Sequence, residues 1–328
     1  MKKEGAMYSS DGWSRRSFLA GAAAVTAAAM GRTGLTQAAP APIPIIDTHI
    51  HLFDASRPQG APYKGPKEFT SHISLPAEYR AMASPFGVVG TIAVEASGWI
   101  EDNLWLLEVS QADQIMVGVV GRLAPEKPEF AEYLERYHKN PLYRGIRVNQ
   151  RFFPAQLDNP AFIDSLKLLA QADLVMDTAN PSMDLLHSMV RLNDQVPDLR
   201  IVIDHLPVLD PKPEEIADYK AVLGEIHSRP NIYVKLSEIL HRVDDKVAVD
   251  LASHRERLDH LMSVFGEDRV LFGSDYPNSV GTATFDQVVS LVKEYFASKP
   301  RAVAEKYFWK NSVRCYKWVK RTPAQSSL

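Results

Sequence analysis

Eight short apolar segments recur along the chain and constrain its fold more than any other feature. Most follow one another at intervals of roughly 25 to 40 residues, and each is apolar on both faces. They predict strands at 45–51, 91–96, 115–121, 145–149, 174–178, 200–206, 231–237 and 269–275. Strands with two apolar faces are typical of a parallel sheet that is covered by helices.

Segments with helical periodicity lie between most of these strands. They predict helices at 101–113, 159–170, 182–190, 213–228, 254–265, 284–297 and 300–319. The Pro- and Gly-rich stretch from 54 to about 85 is predicted as a loop. Eight such units indicate an α/β fold, a single-domain (β/α)8 TIM barrel over 40–328. An open doubly wound sheet is the alternative, but no G-x-G-x-x-G follows the first strand.

The first 39 residues have the organisation of an export signal. Arg15 and Arg16 precede an uncharged run from Phe18 to Met30, and small residues follow it. The run is much shorter than the roughly 20 residues that span a bilayer. Adjacent arginines followed by Phe-Leu resemble a twin-arginine signal, so we expect a periplasmic protein whose mature chain begins near Ala39. A disordered cytoplasmic tail is the alternative.

Charge and cysteine content exclude several classes of partner. The chain has 37 Lys/Arg and 40 Asp/Glu, of which five and two lie in the first 38 residues, so the remainder is clearly acidic. An acidic body without a basic stripe argues against nucleic acid as a partner, and we expect no membrane association of the mature chain. The only cysteine, Cys315, is predicted to pack in the core. Homo-oligomerisation is left open.

Polar residues gather at the ends of the predicted strands. His49 and His51 end the first strand, where alternation places them on one face. The other candidates are Glu95, Arg147, Arg151, Asp177, Asp204, His205, Lys235, Asp275 and Tyr276. Any one of these is often structural, Lys235 as a solvated stem or Asp204 as a loop anchor. Because active sites of TIM barrels lie where strands end, their convergence predicts an active site.

Several motifs in this order resemble the amidohydrolase superfamily. They are Ile-Asp-Thr-His-Ile-His, Ile-Asp-His-Leu, Val-Lys-Leu-Ser, Leu-Phe-Gly-Ser-Asp-Tyr-Pro and the late Asn311, and the similarity spans about 43–319. The chain is most similar to the lactonase branch, with 2-pyrone-4,6-dicarboxylate lactonase and the sugar-lactone hydrolases. The resemblance implies that Asp275 is the general base, that His205 is catalytic, and that His49, His51, His205 and Asp275 hold any metal.

Two departures from the superfamily limit that metal centre. The bridging lysine or glutamate of the fourth strand is replaced by Arg147 and Asn149, and the histidine of the fifth strand by Asp177. We therefore expect one divalent ion, such as Zn²⁺, or none, rather than two.

The resemblance favours hydrolysis of a lactone, a cyclic ester, by water that Asp275 activates. The alternatives are a decarboxylase of the same superfamily acting on a small carboxylic acid, and a non-catalytic periplasmic binding protein. Glu95, Tyr276, Arg147 and Arg151 are the predicted substrate-binding residues. Arginine grips carboxylates in pairs of bonds, so Arg147 is predicted to bind an acidic or strongly polar substrate group. Arg151 is the weaker candidate, and pairing of either arginine with Asp158 or Asp177 is the alternative.

Overall fold

The computed structural model describes residues 41–57, 73–148, 153–243 and 245–328. Two expectations lie outside these ranges, the export signal at 1–39 and the contribution of Arg151. Residues Pro42–Leu328 form one compact unit. Within the described part of the chain, no helix combines the length and the apolar character needed to cross a membrane.

A parallel sheet of eight strands lies at the centre of this unit, and its strands follow one another in chain order. The strands are β1 (Ile45–Ile50), β2 (Val88–Val94), β3 (Met116–Gly121), β4 (Tyr143–Arg147), β5 (Val175–Asp177), β6 (Arg200–Ile203), β7 (Ile232–Lys235) and β8 (Val270–Leu271). Backbone hydrogen bonds bring the two outer strands together. Thr48 N donates to Phe272 O at 3.0 Å, and Asp275 N donates to His49 O at 2.9 Å. The predicted TIM barrel and all eight strands are therefore confirmed.

Helices cover the outside of the barrel. They are α1 (Pro76–Ala83), α2 (Asp102–Ala112), α3 (Phe130–Tyr137), α4 (Phe153–Gln156), α5 (Pro160–Gln171), α6 (Met183–Gln195), α7 (Ile216–His227), α8 (Ala252–Phe265), α9 (Phe285–Ala297), α10 (Arg301–Glu305), α11 (Asn311–Tyr316) and α12 (Pro323–Ser326). Every predicted helix has a counterpart among them. Asn159 and Ser182 cap α5 and α6 by accepting hydrogen bonds from backbone N–H groups in the first turn.

Four of these helices were not predicted: α1, α3 and the four-residue helices α4 and α12. The stretch 54–85 was assigned to a loop, but α1 begins there with Pro76 in its first turn, a position that proline favours. Tyr79 and Ala83, one turn apart, are the core-facing residues of α1. Helix α3 buries Phe130, Leu134 and Tyr137 at helical spacing. Prolines near α1 and α3 obscured the periodicity of these short segments in the sequence.

A compact apolar layer inside the barrel supports the polar strand ends. It combines inward residues of the strands, such as Val117 and Val202, with Cys315 and Tyr316 of α11. Cys315 is fully buried there, which confirms the predicted core position. Close packing of this kind leaves little room for rearrangement, so it holds the polar groups in fixed positions.

Candidate active site

Three polar residues that directly follow the last three strands of the barrel have a strained backbone conformation. His205 follows β6, Glu238 follows β7 and Asp275 follows β8, and their φ angles are 57°, 50° and 56°. For residues other than glycine, this left-handed conformation costs on the order of 1–3 kcal/mol each and concentrates at functional sites. The strain is shared by three neighbouring strand ends, which supports a functional reason for these positions.

His49, His51 and Asp275 form a tight triangle at the end of β1. His49 Nε2 lies 3.2 Å from His51 Nε2 and 3.4 Å from Asp275 Oδ1. The third side, from His51 Nε2 to Asp275 Oδ1, measures 3.1 Å. All three residues are almost completely buried. The structure thus brings together three of the four predicted metal ligands through atoms that can each coordinate an ion.

His205, the fourth predicted ligand, stands beside this triangle. Its ring centre lies 4.5 Å from that of His49, and its Nδ1 is 2.8 Å from Ser237 Oγ. Coordinating atoms of His205, Glu238 and Asp275 lie within 4.8 Å of one another, and a third such group joins His205 to His49 and Asp204. His205 therefore borders the triangle. Glu238 is a site residue that the sequence interpretation did not single out.

Lys235 lies directly below the histidines and is fully buried. Its Nζ is 2.7 Å from Asp177 Oδ2, 3.0 Å from Asp204 Oδ1 and 3.2 Å from His49 Nδ1. The readings of Lys235 as a solvated stem and of Asp204 as a loop anchor are therefore wrong. Two buried carboxylates need a cation, and in the part of the chain that the structure describes Lys235 forms an ion pair with both.

Asp47 links β1 to the residues that follow β8, beneath the site. Its Oδ1 accepts hydrogen bonds from His49 N at 3.1 Å and from Ser274 N at 2.9 Å. Its Oδ2 accepts a hydrogen bond from Tyr79 Oη at 2.7 Å. These contacts hold β1 and the end of β8 in register, so they position both His49 and Asp275.

Burial sets the ionisation of the site. It lowers the pKa of His49 well below its ordinary value, with a further contribution from Lys235. It also lowers the pKa of His51 to about 3, and the charge of Arg147 adds to the effect. Loss of hydration raises the pKa of Asp275 to about 6 and that of Glu238 to about 7. The imidazoles are thus neutral near pH 7, while Asp275 has the basicity of a useful general base.

Arg147 is held by an acid that follows a strand two places away in the sheet. Its Nε donates to Glu95 Oε1 at 3.0 Å, and its Nη2 donates to the main-chain oxygen of Glu95 at 2.7 Å. Pairing with a local acid was foreseen for Arg147, but the suggested partners were wrong. Asp158 instead accepts a hydrogen bond from Arg191, and Asp177 accepts hydrogen bonds from Lys235 and Tyr316.

The remaining predicted substrate residues border the same end of the barrel. Glu95 follows β2 and lines a pocket together with Trp99 and Trp105. Tyr276, half-buried, follows Asp275, and its ring packs 5.6 Å from that of Tyr79. Their contacts with a substrate stay predictions.

The triangle has the donor types and the spacing that zinc requires. Two imidazole nitrogens and a carboxylate oxygen are ordinary zinc ligands, and atoms about 2.0–2.1 Å from a tetrahedral zinc lie about 3.3–3.4 Å apart. The three sides of the triangle, 3.1–3.4 Å, are close to that spacing. Arg147, near the end of β4, is no substitute for a bridging ligand. The residues present therefore fit one divalent ion.

Comparison with known proteins identifies the family of the chain. The amidohydrolase family matches residues 46–318, which include every member of the triangle. The chain belongs to the amidohydrolase family. The predicted resemblance is thereby confirmed, as is the predicted class of enzyme, a hydrolase.

Individual relatives are more distant. An L-fucono-1,5-lactonase of Burkholderia multivorans is 27% identical over 246 residues, covering 69% of this chain and 80% of the relative. An L-rhamnono-gamma-lactonase of Scheffersomyces stipitis is 23% identical over 290 residues, covering 71% and 85%. The crystal structure of an amidohydrolase from Burkholderia multivorans with bound zinc superimposes with a TM-score of 0.73 at 24% identity, covering 84% and 99%. This last likeness shows the shared fold.

Proposed function

We propose that this amidohydrolase opens an uncharged, polyhydroxylated lactone by attack of water, with Asp275 as the general base. The observation that carries the proposal is the buried triangle of His49, His51 and Asp275 beside His205. Relatives named as sugar-acid lactonases support the substrate class. Lactone opening needs a base for the water and stabilisation of the oxyanion, and it needs little help for the leaving group.

Asp275 takes the proton of the attacking water. Its raised pKa, about 6, leaves the carboxylate ionised at neutral pH and more basic than an exposed aspartate. As the tetrahedral centre collapses, the carbon–ring-oxygen bond breaks and Asp275 returns the proton to the departing oxygen. The products are the open hydroxy acid and the regenerated carboxylate.

His205 is placed to stabilise the oxyanion. When Ser237 Oγ donates to His205 Nδ1 across 2.8 Å, the neutral ring carries its proton on Nε2. An N–H of this kind, held in a buried site, stabilises negative charge more strongly than the same group in water. His205 stays neutral because burial lowers its pKa.

We further propose that the site holds one divalent ion through His49, His51 and Asp275. When bound, such an ion would polarise the lactone carbonyl and lower the pKa of the attacking water. A site without metal is the alternative, and the histidines would then act as hydrogen-bond donors to the carbonyl.

The charges around the site favour an uncharged substrate. Within the described ranges, the cations Arg147, Lys235 and the less buried Arg122 stand among a larger number of buried or mostly buried carboxylates: Asp47, Glu95, Asp177, Asp204, Glu238 and Asp275. All three cations are already paired with carboxylates of the protein. A substrate carboxylate would therefore enter a site without an unpaired cation among the described residues, at a cost in desolvation. This argues against the carboxylated pyrones.

The two alternative functions have less support. The position at which the decarboxylases carry a histidine holds Asp177, which is engaged by Lys235 and Tyr316. Ligand binding alone requires no general base, whereas burial raises the pKa of Asp275, which lies beside two histidines, to about 6.

A substrate screen tests the proposal. Sugar lactones of five- and six-membered rings, carboxylated pyrones and aromatic carboxylic acids are compared at pH 7.5, with acid release and carbon dioxide release measured separately. We expect acid release from the sugar lactones, and at least ~10²-fold less from Asp275→Asn, the usual scale for a lost general base. Carbon dioxide release, or turnover confined to carboxylated pyrones, would contradict it.

A further inference from the structure

Two buried groups of opposite character face the same nitrogen of His49. Lys235 Nζ lies 3.2 Å from His49 Nδ1, and Asp204 Oδ2 lies 3.6 Å from it. An ammonium group only donates hydrogen bonds, whereas a carboxylate only accepts them. Lys235 therefore requires a lone pair on Nδ1, which puts the ring proton on Nε2. Asp204 requires the proton on Nδ1, which leaves the lone pair on Nε2.

The contacts around His51 indicate which tautomer of His49 the geometry favours. His51 Nδ1 lies 3.0 Å from the main-chain oxygen of Val94, which can only accept, so Nδ1 carries the proton of the neutral ring. His51 Nε2 then has the lone pair and lies 3.2 Å from His49 Nε2. The Asp275 carboxylate, whose Oδ1 is 3.4 Å from His49 Nε2, also accepts when ionised, so a proton on His49 Nε2 is the arrangement that satisfies both neighbours. Lys235, His49, His51 and Val94 thus form one chain of hydrogen bonds with a single direction.

A metal ion in the triangle needs the other tautomer. Coordination uses the lone pair of His49 Nε2, so the ring proton must move to Nδ1, where Asp204 is the acceptor at hand. Asp204 has the capacity to accept this hydrogen bond. Among the described residues, neither of its carboxylate oxygens accepts a hydrogen bond of good geometry, although Oδ1 is ion-paired with Lys235.

We propose that Lys235 is a positioning residue that opposes metal binding, because it competes with Asp204 for His49 Nδ1 and holds His49 in the tautomer that cannot coordinate. The inference rests on the proposed metal site. In the exchange, one proton leaves Nε2 and another enters Nδ1, so His49 stays neutral throughout. Lys235 gives up its contact with His49 and keeps its ion pairs with Asp177 and Asp204.

Zinc affinity, measured by competition with a chelator of known affinity, tests the competition. Lys235→Met should bind Zn²⁺ at least ~10-fold more tightly than the wild type. Asp204→Asn should bind it ~10–100-fold more weakly, the scale for a lost second partner of a metal-bound histidine. Asp177→Asn is the matched control, because it removes a carboxylate from the same lysine without touching His49. We expect its affinity to stay within ~3-fold of the wild type, and a loss equal to that of Asp204→Asn would overturn the inference.

Two further measurements guard against misfolding and against failure of the metal site. Lys235→Met combined with Asp177→Asn removes one charge of each sign, so it should fold and keep the tighter binding. Nitrogen-15 NMR of the metal-free protein should show His49 protonated on Nε2 in the wild type and on Nδ1 in this double variant. An unchanged tautomer would overturn the inference. Absence of zinc binding from every variant would instead refute the proposed metal site, and the tautomer would then decide the inference alone.

Discussion

Replacing Asp47 by alanine should destabilise the barrel severely, although Asp47 itself touches no substrate in the proposed mechanism. The substitution would leave three buried donors without their acceptor, namely the backbone N–H groups of His49 and Ser274 and the hydroxyl of Tyr79. Each unsatisfied buried group costs about 1–3 kcal/mol, so we expect a loss of roughly 3–9 kcal/mol in the free energy of unfolding. A loss of that size is a large part of the about 5–15 kcal/mol that stabilises a typical domain.

Two less disruptive variants separate the contributions of individual hydrogen bonds to this loss of stability. Tyr79→Phe removes one donor from a fully buried carboxylate and should cost about 1–3 kcal/mol. Asp47→Asn keeps an oxygen for the two backbone donors and should cost less than alanine. The matched control is Tyr295→Phe, which removes the same kind of hydrogen bond, 2.7 Å long, from Asp259, whose side chain is half exposed. Water can replace the lost donor there, so we expect less than ~1 kcal/mol.

Urea denaturation followed by circular dichroism at pH 7.5 measures all four variants, with the free energy of unfolding obtained by linear extrapolation. The order Asp47→Ala, then Asp47→Asn and Tyr79→Phe, then Tyr295→Phe is the expected result. A cost below ~1 kcal/mol for Asp47→Ala would refute the reasoning. Equal costs for Tyr79→Phe and Tyr295→Phe would show that burial of the carboxylate has no influence.

Four further predictions concern the activity and the export of the protein. Asp275→Asn should lower kcat by at least ~10²-fold with an unchanged unfolding transition, and near-normal turnover would remove Asp275 from the mechanism. Arg147→Ala should weaken activity equally on charged and uncharged lactones, since Glu95 holds its guanidinium. A loss of roughly 2–3 kcal/mol in kcat/KM confined to carboxylated substrates would instead support the predicted contact of Arg147 with the substrate. Treatment with a strong chelator should abolish turnover, and full activity in protein shown to be metal-free would favour the histidines as donors. Lysine in place of Arg15 and Arg16 should retain the protein in the cytoplasm of a bacterial host, as judged by cell fractionation, whereas unchanged export would contradict the proposed signal.

The barrel was predictable because its strands satisfy a simple physical requirement. A strand that is buried on both faces must be apolar along its whole length, as 201–203 and 232–234 are, and such runs are visible in the sequence. Two of the four missed helices, α1 and α3, are each eight residues long, and α4 and α12 are shorter. Each contains few turns, so the helical period is poorly sampled in any one of them, and packing onto the barrel determines its structure.

The metal-ligand candidates were also predictable, because titratable groups directly after apolar strands need a reason to be there. Their partners were not. A solvated stem was the structural alternative for Lys235 because lysine is rarely buried, and only the meeting of three strands shows two carboxylates within 3.0 Å of it. Arg147 likewise pairs with Glu95, which follows a strand two places away in the sheet. Pairing across the barrel depends on distances that sequence order does not encode.

The layer beneath the histidines influences how the site binds a cation. Lys235 stands against Asp177 and Asp204, and Asp204 also lies 3.6 Å from His49 Nδ1. When His49 Nε2 coordinates a cation, the ring proton must be on Nδ1, where Asp204 can accept it. The contact of Lys235 with the same nitrogen opposes this tautomer. We therefore expect metal affinity at this site to depend on two groups that lie outside the triangle, so that substitutions there change it while leaving the ligands themselves intact.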